Sequence, residues 1–311
     1  KLKYLNMTKE EEETENQSSN PFPSHPTARA FFAALDARGS EEKSTCNKQS
    51  DFVKKRISTL GWRNRHSQDE FYPVTVKDTT FSVRQIQRGE IEGTYGTGAC
   101  VWPAAVVLLK YLERHADTLL AGKNVVDLGS GTGVTSVAAA LLGAKHVVCT
   151  DGSDKVVQLA KDNIAHAAKE ISGLSDNKQD TDLAVDGNIV SINGCKLDTQ
   201  VLWWGRDSLQ YFTADEADII LVADCVLPKL YPISPLVQAI DELLRKPDAV
   251  AIVSYEHRYY PDYDPRDKFR ECATERGLVV ELVPVSEQDP VYCVEEDIEV
   301  WKVYRKTETK V

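Results

Sequence analysis

The chain has 311 residues, of which 42% are hydrophobic and 27% are charged, and its formal net charge is −11. This apolar content is ample for a core, and the length allows one large or two small domains. The negative charge argues against unaided binding to a nucleic-acid backbone or an anionic membrane, so we expect neither as a partner.

The cysteines and the apolar runs limit the class of protein further. Seven cysteines without a C-x-x-C or C-x-x-H pair exclude a disulfide framework and a zinc site by spacing, so we expect no metal. No apolar run approaches the roughly 18 residues of a membrane span. The expected location is the cytoplasm, with the nucleus as the second option.

Residues 1–100 are predicted to be additions to a main domain. Residues 1–50 are polar and are predicted to be a mostly disordered lead-in, with one short helix at 28–38 whose apolar residues have helical spacing. Residues 51–100 are predicted to form an extension that contains a β-hairpin over 71–86. Residues 101–311 form the main domain, and its first helix begins near Pro103, since proline is favoured in the first helical turn.

The main domain alternates between strand and helix patterns, which predicts an α/β fold with a mostly parallel sheet. The predicted strands are 125–128, 146–150, one within 196–203, 218–224, 249–255, 278–285 and 298–305. The predicted helices are 134–142, 153–169, 233–245 and 264–276, and residues 171–188 are predicted to be a polar surface insertion. The last strand alternates as an antiparallel strand would. The prediction is a doubly wound seven-stranded sheet, with six parallel strands and one antiparallel strand.

A glycine turn follows the first of these strands. Gly129, Gly131 and Gly133 separate the strand from an Ala-rich helix, and we expect their missing Cβ atoms to let a ligand approach the backbone. Asp151 ends the next strand 18 residues after Gly133, so its carboxylate should lie beside the turn and bind the two hydroxyls of a ribose. A glycine turn without any ligand is the alternative.

The details of the turn argue against a dinucleotide. The pattern G-x-G-x-x-G fails at its last position in both registers, where Val134 and Ser136 stand. The run from Asp127 to Gly133, DLGSGTG, looks instead like the first motif of the seven-strand S-adenosylmethionine-dependent methyltransferases. That cofactor carries an ammonium and no pyrophosphate, so a carboxylate at 127 beside the glycines makes chemical sense.

Candidate groups for the acceptor lie at the ends of two later strands. Asp224 ends the 218–224 strand, and the following residues lack the Asn/Asp-Pro-Pro-aromatic motif that grips a planar amine. After the 249–255 strand, the segment from Tyr255 to Tyr260 offers aromatic faces and the Glu256 carboxylate, which suit an alkylammonium. The alternatives are that Asp224 caps the next loop and that the second segment is an internal ion pair with packing. Trp102 is either a core anchor or a pocket wall.

Taken together, these segments resemble the seven-strand protein-lysine methyltransferases of methyltransferase family 16, of the methyltransferase-like 21 type. The resemblance covers roughly residues 70–305. It is carried by the segments 96–103, 127–133, 202–205, 223–226 and 255–258, together with the acidic residue at 151.

The resemblance implies roles for individual residues and a Rossmann-like class I methyltransferase fold over residues 101–311. The implied cofactor-site residues are Trp102, Asp127, Gly129, Ser130, Gly131, Gly133, Asp151, Trp204 and Ala223, with Trp204 near the adenine. Asp224, Tyr255 and Glu256 are the implied catalytic residues that face the acceptor amine. Family members commonly have a tyrosine where this chain has Leu227, and Tyr231 is the candidate to replace it.

The predicted function is therefore the transfer of a methyl group from S-adenosylmethionine to a lysine side chain of a protein. By resemblance the substrate is a chaperone, an ATPase or an elongation factor, and the enzyme is a monomer. The alternatives are a catalytically silent binding module and a methyltransferase acting on histidine or a small molecule.

Overall fold

The computed structural model describes residues 61–86, 96–173, 184–186, 189–205, 217–228, 230–260, 263–293 and 297–306. The predicted lead-in at 1–50 and its helix at 28–38 lie outside the described residues. In chain order the strands are β1 (Phe71–Val76), β2 (Thr79–Arg84), β3 (Asn124–Leu128), β4 (His146–Asp151), β5 (Ala184–Asp186), β6 (Ile189–Ile192), β7 (Cys195–Val201), β8 (Ile219–Ala223), β9 (Val250–Glu256), β10 (Leu278–Leu282) and β11 (Ile298–Arg305). The α-helices are α1 (Trp62–Arg65), α2 (Pro103–Arg114), α3 (Ala116–Leu119), α4 (Val134–Leu141), α5 (Asp154–Ser172), α6 (Ile233–Leu243) and α7 (Pro265–Glu275).

The main sheet has nine described strands in the order β10, β11, β9, β8, β3, β4, β7, β6, β5. The five strands from β9 to β7 are parallel to one another. Strand β11 is antiparallel to β9, and β10 is antiparallel to β11. Among the seven predicted strands, six therefore share one direction and β11 is reversed. The predicted doubly wound, Rossmann-like α/β fold is confirmed.

Two further strands, β5 and β6, extend the sheet beyond β7. The predicted polar insertion over 171–188 contains β5 at the edge of the sheet, and neither β5 nor β6 was predicted. Strand β6 pairs antiparallel with β7 through Asn193 and Gly194, whose φ angles are 50° and 80°. Two consecutive positive φ angles are what a two-residue hairpin turn of type I′ requires, and Asn-Gly is its preferred sequence. This hairpin covers the edge that β7 would otherwise expose.

Helices cover both faces of the sheet. Successive residues of a strand point to opposite faces, so each face has its own buried cluster. Val125 joins one buried cluster, with residues of α2, α4 and α5. Val126 joins the other cluster, with residues of α6 and α7. The same alternation holds in β8, where Ile219 and Ile220 belong to different clusters. The central strands are thus apolar on both sides, and polar groups are concentrated at the strand ends.

The predicted β-hairpin over 71–86 is confirmed as β1 and β2, which form a separate two-stranded sheet. It is attached to the main domain by Asn163 of α5, whose side chain is buried and makes three hydrogen bonds. Asn163 Oδ1 accepts from the backbone N–H of Arg84 at 2.8 Å. Asn163 Nδ2 donates to the carbonyls of Arg84 at 3.1 Å and Thr132 at 3.0 Å. One side chain therefore joins the hairpin to the glycine turn.

Replacing Asn163 by alanine should lower the free energy of unfolding by about 2–4 kcal/mol, because buried backbone groups lose their partners. Urea unfolding measures this change. The matched control is Asp162→Ala on the exposed side of the same helix turn, which should change the free energy by less than about 0.5 kcal/mol. Equal effects of the two substitutions would contradict the role given to Asn163.

Candidate active site

The carboxyl ends of the five parallel strands meet at one edge of the sheet, and the predicted site residues follow these ends. Asp151 ends β4 and lies beside the glycine turn, as expected: the Gly131 backbone N–H donates to Asp151 Oδ2 at 3.3 Å. The Ser153 N–H donates to Oδ1 at 3.2 Å. Burial raises the pKa of Asp151, and these backbone donors oppose the rise. The carboxylate is thus held at the point where β3 and β4 end.

The three glycines of the turn have φ angles of 67°, 55° and 80°, which glycine adopts readily. A Cβ on Gly131 would lie 2.9 Å from the carbonyl oxygen of Gly98, and one on Gly129 would lie 2.6 Å from Cys225 Sγ. From the sequence, the approach of a ligand is the expected reason for the missing side chains. The structure gives a different reason, because the atoms that a Cβ would meet belong to neighbouring segments of the protein.

Asp127 is fully buried behind this turn. Its Oδ2 accepts hydrogen bonds from the hydroxyls of Thr135 at 2.5 Å and Ser136 at 2.7 Å. Its Oδ1 is buried without a hydrogen-bond partner among the described residues. Burial raises the pKa of Asp127 to about 6, although the two hydroxyls lower it. An ammonium group would supply the partner that Oδ1 lacks.

Aromatic side chains surround the turn on the side of β7 and β8. The Trp204 ring lies against Gly129 and meets the Tyr231 ring edge-on, with ring centroids 5.8 Å apart. The hydroxyls of Tyr231 and Thr97 are 2.5 Å apart, and Trp102 Nε1 donates to the Thr97 carbonyl at 2.8 Å. Tyr231 therefore joins the aromatic wall.

Other predicted residues of this region lie in the interior or at its margin. Leu227 is buried. Ser130 points into the fold, where its hydroxyl accepts from Cys149 Sγ at 3.0 Å. Ala223 ends β8 opposite Ser254 of β9. The backbone N–H and carbonyl of Ser130 also have partners within the fold, at Thr150 and Gly133.

Asp224 lies just after β8, in a left-handed conformation with φ 57°. Its side chain is 2% exposed and receives both terminal nitrogens of Arg258, at 2.7 Å and 2.5 Å. Burial raises the pKa of Asp224, and the paired guanidinium opposes that rise. The Arg258 guanidinium also lies 5.8 Å from the centre of the Trp102 ring. Because both terminal nitrogens of Arg258 bind Asp224, Asp224 has little capacity for another partner. The pair also fixes Arg258 between Asp224 and Trp102.

The other two predicted catalytic residues differ in accessibility. The Glu256 side chain is 18% exposed, and its Oε2 lies 3.6 Å from Arg258 Nη2. Burial, reinforced by the charge of Asp224, raises the pKa of Glu256. Tyr255 is 1% exposed, and its ring lies 5.5 Å from that of Trp301. The expectation that Tyr255 faces an amine stays a prediction: its ring packs on Trp301 inside the fold, and the residue also lines a cavity beyond the end of β9.

Three positions near the site were not chosen from the sequence. Arg258 belongs to the quoted segment 255–258, but only its pairing with Asp224 reveals its place. Gly98 lies in the segment 96–103, which was named only as part of the resemblance. Arg63, whose side chain is 8% exposed, binds Asp297 at 3.0 Å, and the Asp297 carbonyl accepts from the His257 N–H at 2.7 Å. The sequence carries no signal for that contact, since 234 positions separate Arg63 from Asp297.

The residues at this edge fit S-adenosylmethionine on two observations. The buried Asp127 Oδ1 and the buried Trp204 Nε1 both lack a hydrogen-bond partner among the described residues. Asp151 stands at the strand end where a ribose would be bound.

The described residues contain no group of three or more His, Cys, Asp or Glu side chains that could hold a metal ion. No helix among them is long and apolar enough to cross a bilayer.

The sheet order and the carboxylate beside the first turn define the class of S-adenosylmethionine-dependent methyltransferases. Comparison with known proteins narrows this class, because a family model described as lysine methyltransferase matches residues 83–271. The chain belongs to this lysine methyltransferase family.

Individual proteins that are similar to this chain are also described as lysine methyltransferases. Mouse METTL21A, a protein N-lysine methyltransferase, is 30% identical over 213 residues, which cover 68% of this chain and 80% of the relative. The efm7 protein of Emericella nidulans, a protein N-terminal and lysine N-methyltransferase, is 28% identical over 228 residues, with the same two coverages of 68% and 80%. Mouse METTL21E is 38% identical over 101 residues, which cover 32% of this chain and 34% of the relative.

Replacing Asp151 by alanine should weaken binding of S-adenosylhomocysteine by about 10- to 150-fold, since a hydrogen bond to a charged group contributes about 1.5–3 kcal/mol. Titration calorimetry measures this affinity. The control is Asp154→Ala, an exposed aspartate in the first turn of α5, which should leave the affinity unchanged. A folded Asp151→Ala protein with normal affinity would remove Asp151 from the site.

The stability of the protein should also depend on pH through Asp127. Between its ordinary pKa of 3.8 and about 6, the folded protein keeps a proton on Asp127 that the unfolded chain releases. The stability contributed by this group is therefore present below the lower value and is lost as the pH rises, by about 1.4 kcal/mol per pH unit within the window.

The measurement is the difference in unfolding free energy between wild type and Asp127→Asn, taken by urea unfolding from about pH 4 to pH 7. The wild type should lose stability relative to the variant as the pH rises. A difference between wild type and Asp127→Asn that stays flat over this pH range would contradict the titration.

Proposed function

We propose that the chain transfers a methyl group from S-adenosylmethionine to the side-chain amine of a lysine on a folded partner protein, and that the amine enters beside the ends of β8 and β9. The observation that carries this proposal is the arrangement of Glu256, Asp224 and Arg258, where one carboxylate is held by a guanidinium and the other remains partly accessible. Membership of the lysine methyltransferase family supports the acceptor.

The proposed cofactor residues surround the glycine turn. They are Trp102, Asp127, Gly129, Ser130, Gly131, Gly133, Asp151, Trp204 and Ala223. Asp151 would bind the ribose hydroxyls, and Asp127 would face the ammonium with its unpartnered Oδ1. When bound, the cofactor supplies an electrophilic methyl group. The protein must hold the amine in line with that methyl and keep water out, and Trp102, Trp204 and Tyr231 provide the apolar surface for this.

The acceptor lysine must lose its proton before its nitrogen can attack. Burial and the charge of Asp224 raise the pKa of Glu256, which brings a carboxylate nearer to the range where it can accept a proton at neutral pH. The partly buried surroundings also lower the pKa of an entering amine. In this scheme Glu256 binds the lysine ammonium and accepts its proton, which frees the nitrogen lone pair. Asp224 positions Arg258, which fixes the wall between Glu256 and Trp102.

The acceptor is tested by incubating the protein with labelled S-adenosylmethionine and a cell lysate, followed by mass spectrometry of the labelled proteins. We expect methylated lysine side chains. Methylated histidine, a methylated protein N-terminus or a labelled small molecule would each contradict the proposed acceptor. Binding of S-adenosylhomocysteine without any labelled product would favour a silent binding module.

The role of Glu256 is tested by Glu256→Gln. This variant should lower kcat by about 100-fold, the usual contribution of a positioned proton acceptor, and should flatten the acid side of the pH profile. The affinity for S-adenosylhomocysteine should not change. Glu275→Gln, an exposed glutamate at the end of α7, is the control and should behave as wild type. An unchanged pH profile in Glu256→Gln would assign the proton to another group.

A further inference from the structure

A cavity with a tyrosine-rich lining lies beyond the end of β9, beside the proposed acceptor site. Its volume is about 380 Å³, and Tyr255, Tyr259, Tyr260, Tyr263 and Pro265 line it. The rings of Tyr260 and Tyr263 are 5.7 Å apart with an interplanar angle of 38°. Tyr259 is 88% exposed and Tyr263 is 45% exposed. Large aromatic side chains this exposed on one loop indicate a surface that receives another molecule.

The charged groups of the wall argue against an anionic occupant. Arg266 directs its Nε and Nη2 to Asp264 and its Nη1 to Glu299. Both terminal nitrogens of Arg258 bind Asp224. The charges of both guanidiniums are thus already compensated by carboxylates, so their attraction for an incoming carboxylate or phosphate is weakened.

The balance of charge around the cavity points to a cation. Four guanidiniums belong to the ion pairs behind the wall, those of Arg63, Arg258, Arg266 and Arg270. They face six carboxylates, those of Asp224, Glu256, Asp264, Asp267, Asp297 and Glu299. The chain as a whole carries a net charge of −11. Exposed tyrosine faces attract alkylammonium and guanidinium groups through cation–π contacts, and here the surrounding charge does not oppose them.

The cavity adjoins the acceptor site without being part of it. Arg258 lines the cavity, and its guanidinium also lies over the Trp102 ring at 5.8 Å. Trp102, Asp224 and Glu256 are not among the described residues that line the cavity. Arg258 is thus the wall between the two spaces, and a side chain in the cavity would come from a residue close to the acceptor lysine.

We propose that this tyrosine-lined cavity binds the cationic side chain of a second lysine or arginine of the substrate protein, next to the acceptor lysine. The inference rests on the proposed function for the identity of the substrate, but the cation site itself can be tested without methyl transfer. Recognition of two neighbouring cations would confine the enzyme to basic segments of its partner.

The binding test uses choline as a small cationic probe, titrated into the full chain and followed by NMR. Its neutral isostere, 3,3-dimethylbutan-1-ol, has the same shape without the charge. Choline should bind more tightly than the isostere. Tyr263→Ala should weaken choline binding by about two- to fivefold, the effect of one exposed cation–π contact, whereas Tyr263→Phe should retain it because the ring face remains. Tyr304→Ala, at the far end of β11, is the matched control and should change nothing.

Equal binding of choline and its isostere, no binding of choline, or equal behaviour of Tyr263→Ala and Tyr304→Ala would each overturn the cation site. The kinetic arm uses the proteins labelled in lysate. There, Tyr263→Ala should raise KM by about two- to fivefold at constant kcat, with normal affinity for S-adenosylhomocysteine. The methylated lysines should have a lysine or arginine nearby, and sites without one would overturn the assignment to substrate. If the wild type transfers no methyl group, the proposed function fails, while the choline titration still decides the cavity.

Discussion

The site depends on the close approach of backbone segments at the carboxyl end of β3. Gly131 lies so close to the Gly98 carbonyl that a Cβ would be 2.9 Å from that oxygen, and its N–H reaches Asp151 at 3.3 Å. Side chains at 98 or 131 would separate these segments, since a Cβ on Gly98 would meet Val156 at 2.8 Å. The loop that carries Trp102 is therefore positioned by the same contact that positions the carboxylate. This contact therefore links the proposed cofactor side of the site to its proposed acceptor side.

The parts predictable from sequence are those with local signals. The strand, glycine turn and helix from β3 to α4 are contiguous, and parallel strands place their carboxyl ends at one edge, so the Gly131–Asp151 neighbourhood follows from residues 20 positions apart. The hairpin β1–β2 follows from alternation. The β6–β7 hairpin has an equally local signal, since Asn193-Gly194 lies between the apolar residues Ile192 and Cys195, but the prediction did not include it.

The remaining features depend on contacts between residues far apart in the chain, for which the sequence has no local pattern. Arg258 and Asp224 are 34 positions apart and meet because β8 and β9 are adjacent. Tyr231 reaches Thr97 over 134 positions. The packing of Tyr255 also depends on a distant residue: alternation along β9 decides which face it occupies, and that face packs on Trp301. Sequence located the edge of the sheet correctly, whereas the direction of each side chain at the edge depended on neighbours from distant segments.

The four acidic residues of the site differ in what their surroundings leave them free to do. Asp127 is enclosed with one unpartnered oxygen, Asp151 is held by backbone donors, and Asp224 is occupied by Arg258. Glu256 alone among them combines partial exposure with a charged neighbour at the longer distance of 3.6 Å. Methylation leaves a lysine positively charged, so a carboxylate in this position attracts substrate and product alike. If Glu256 binds the acceptor as proposed, the bulk and the lost N–H donors of the added methyl groups weaken the hydrogen bonds of the product to Glu256.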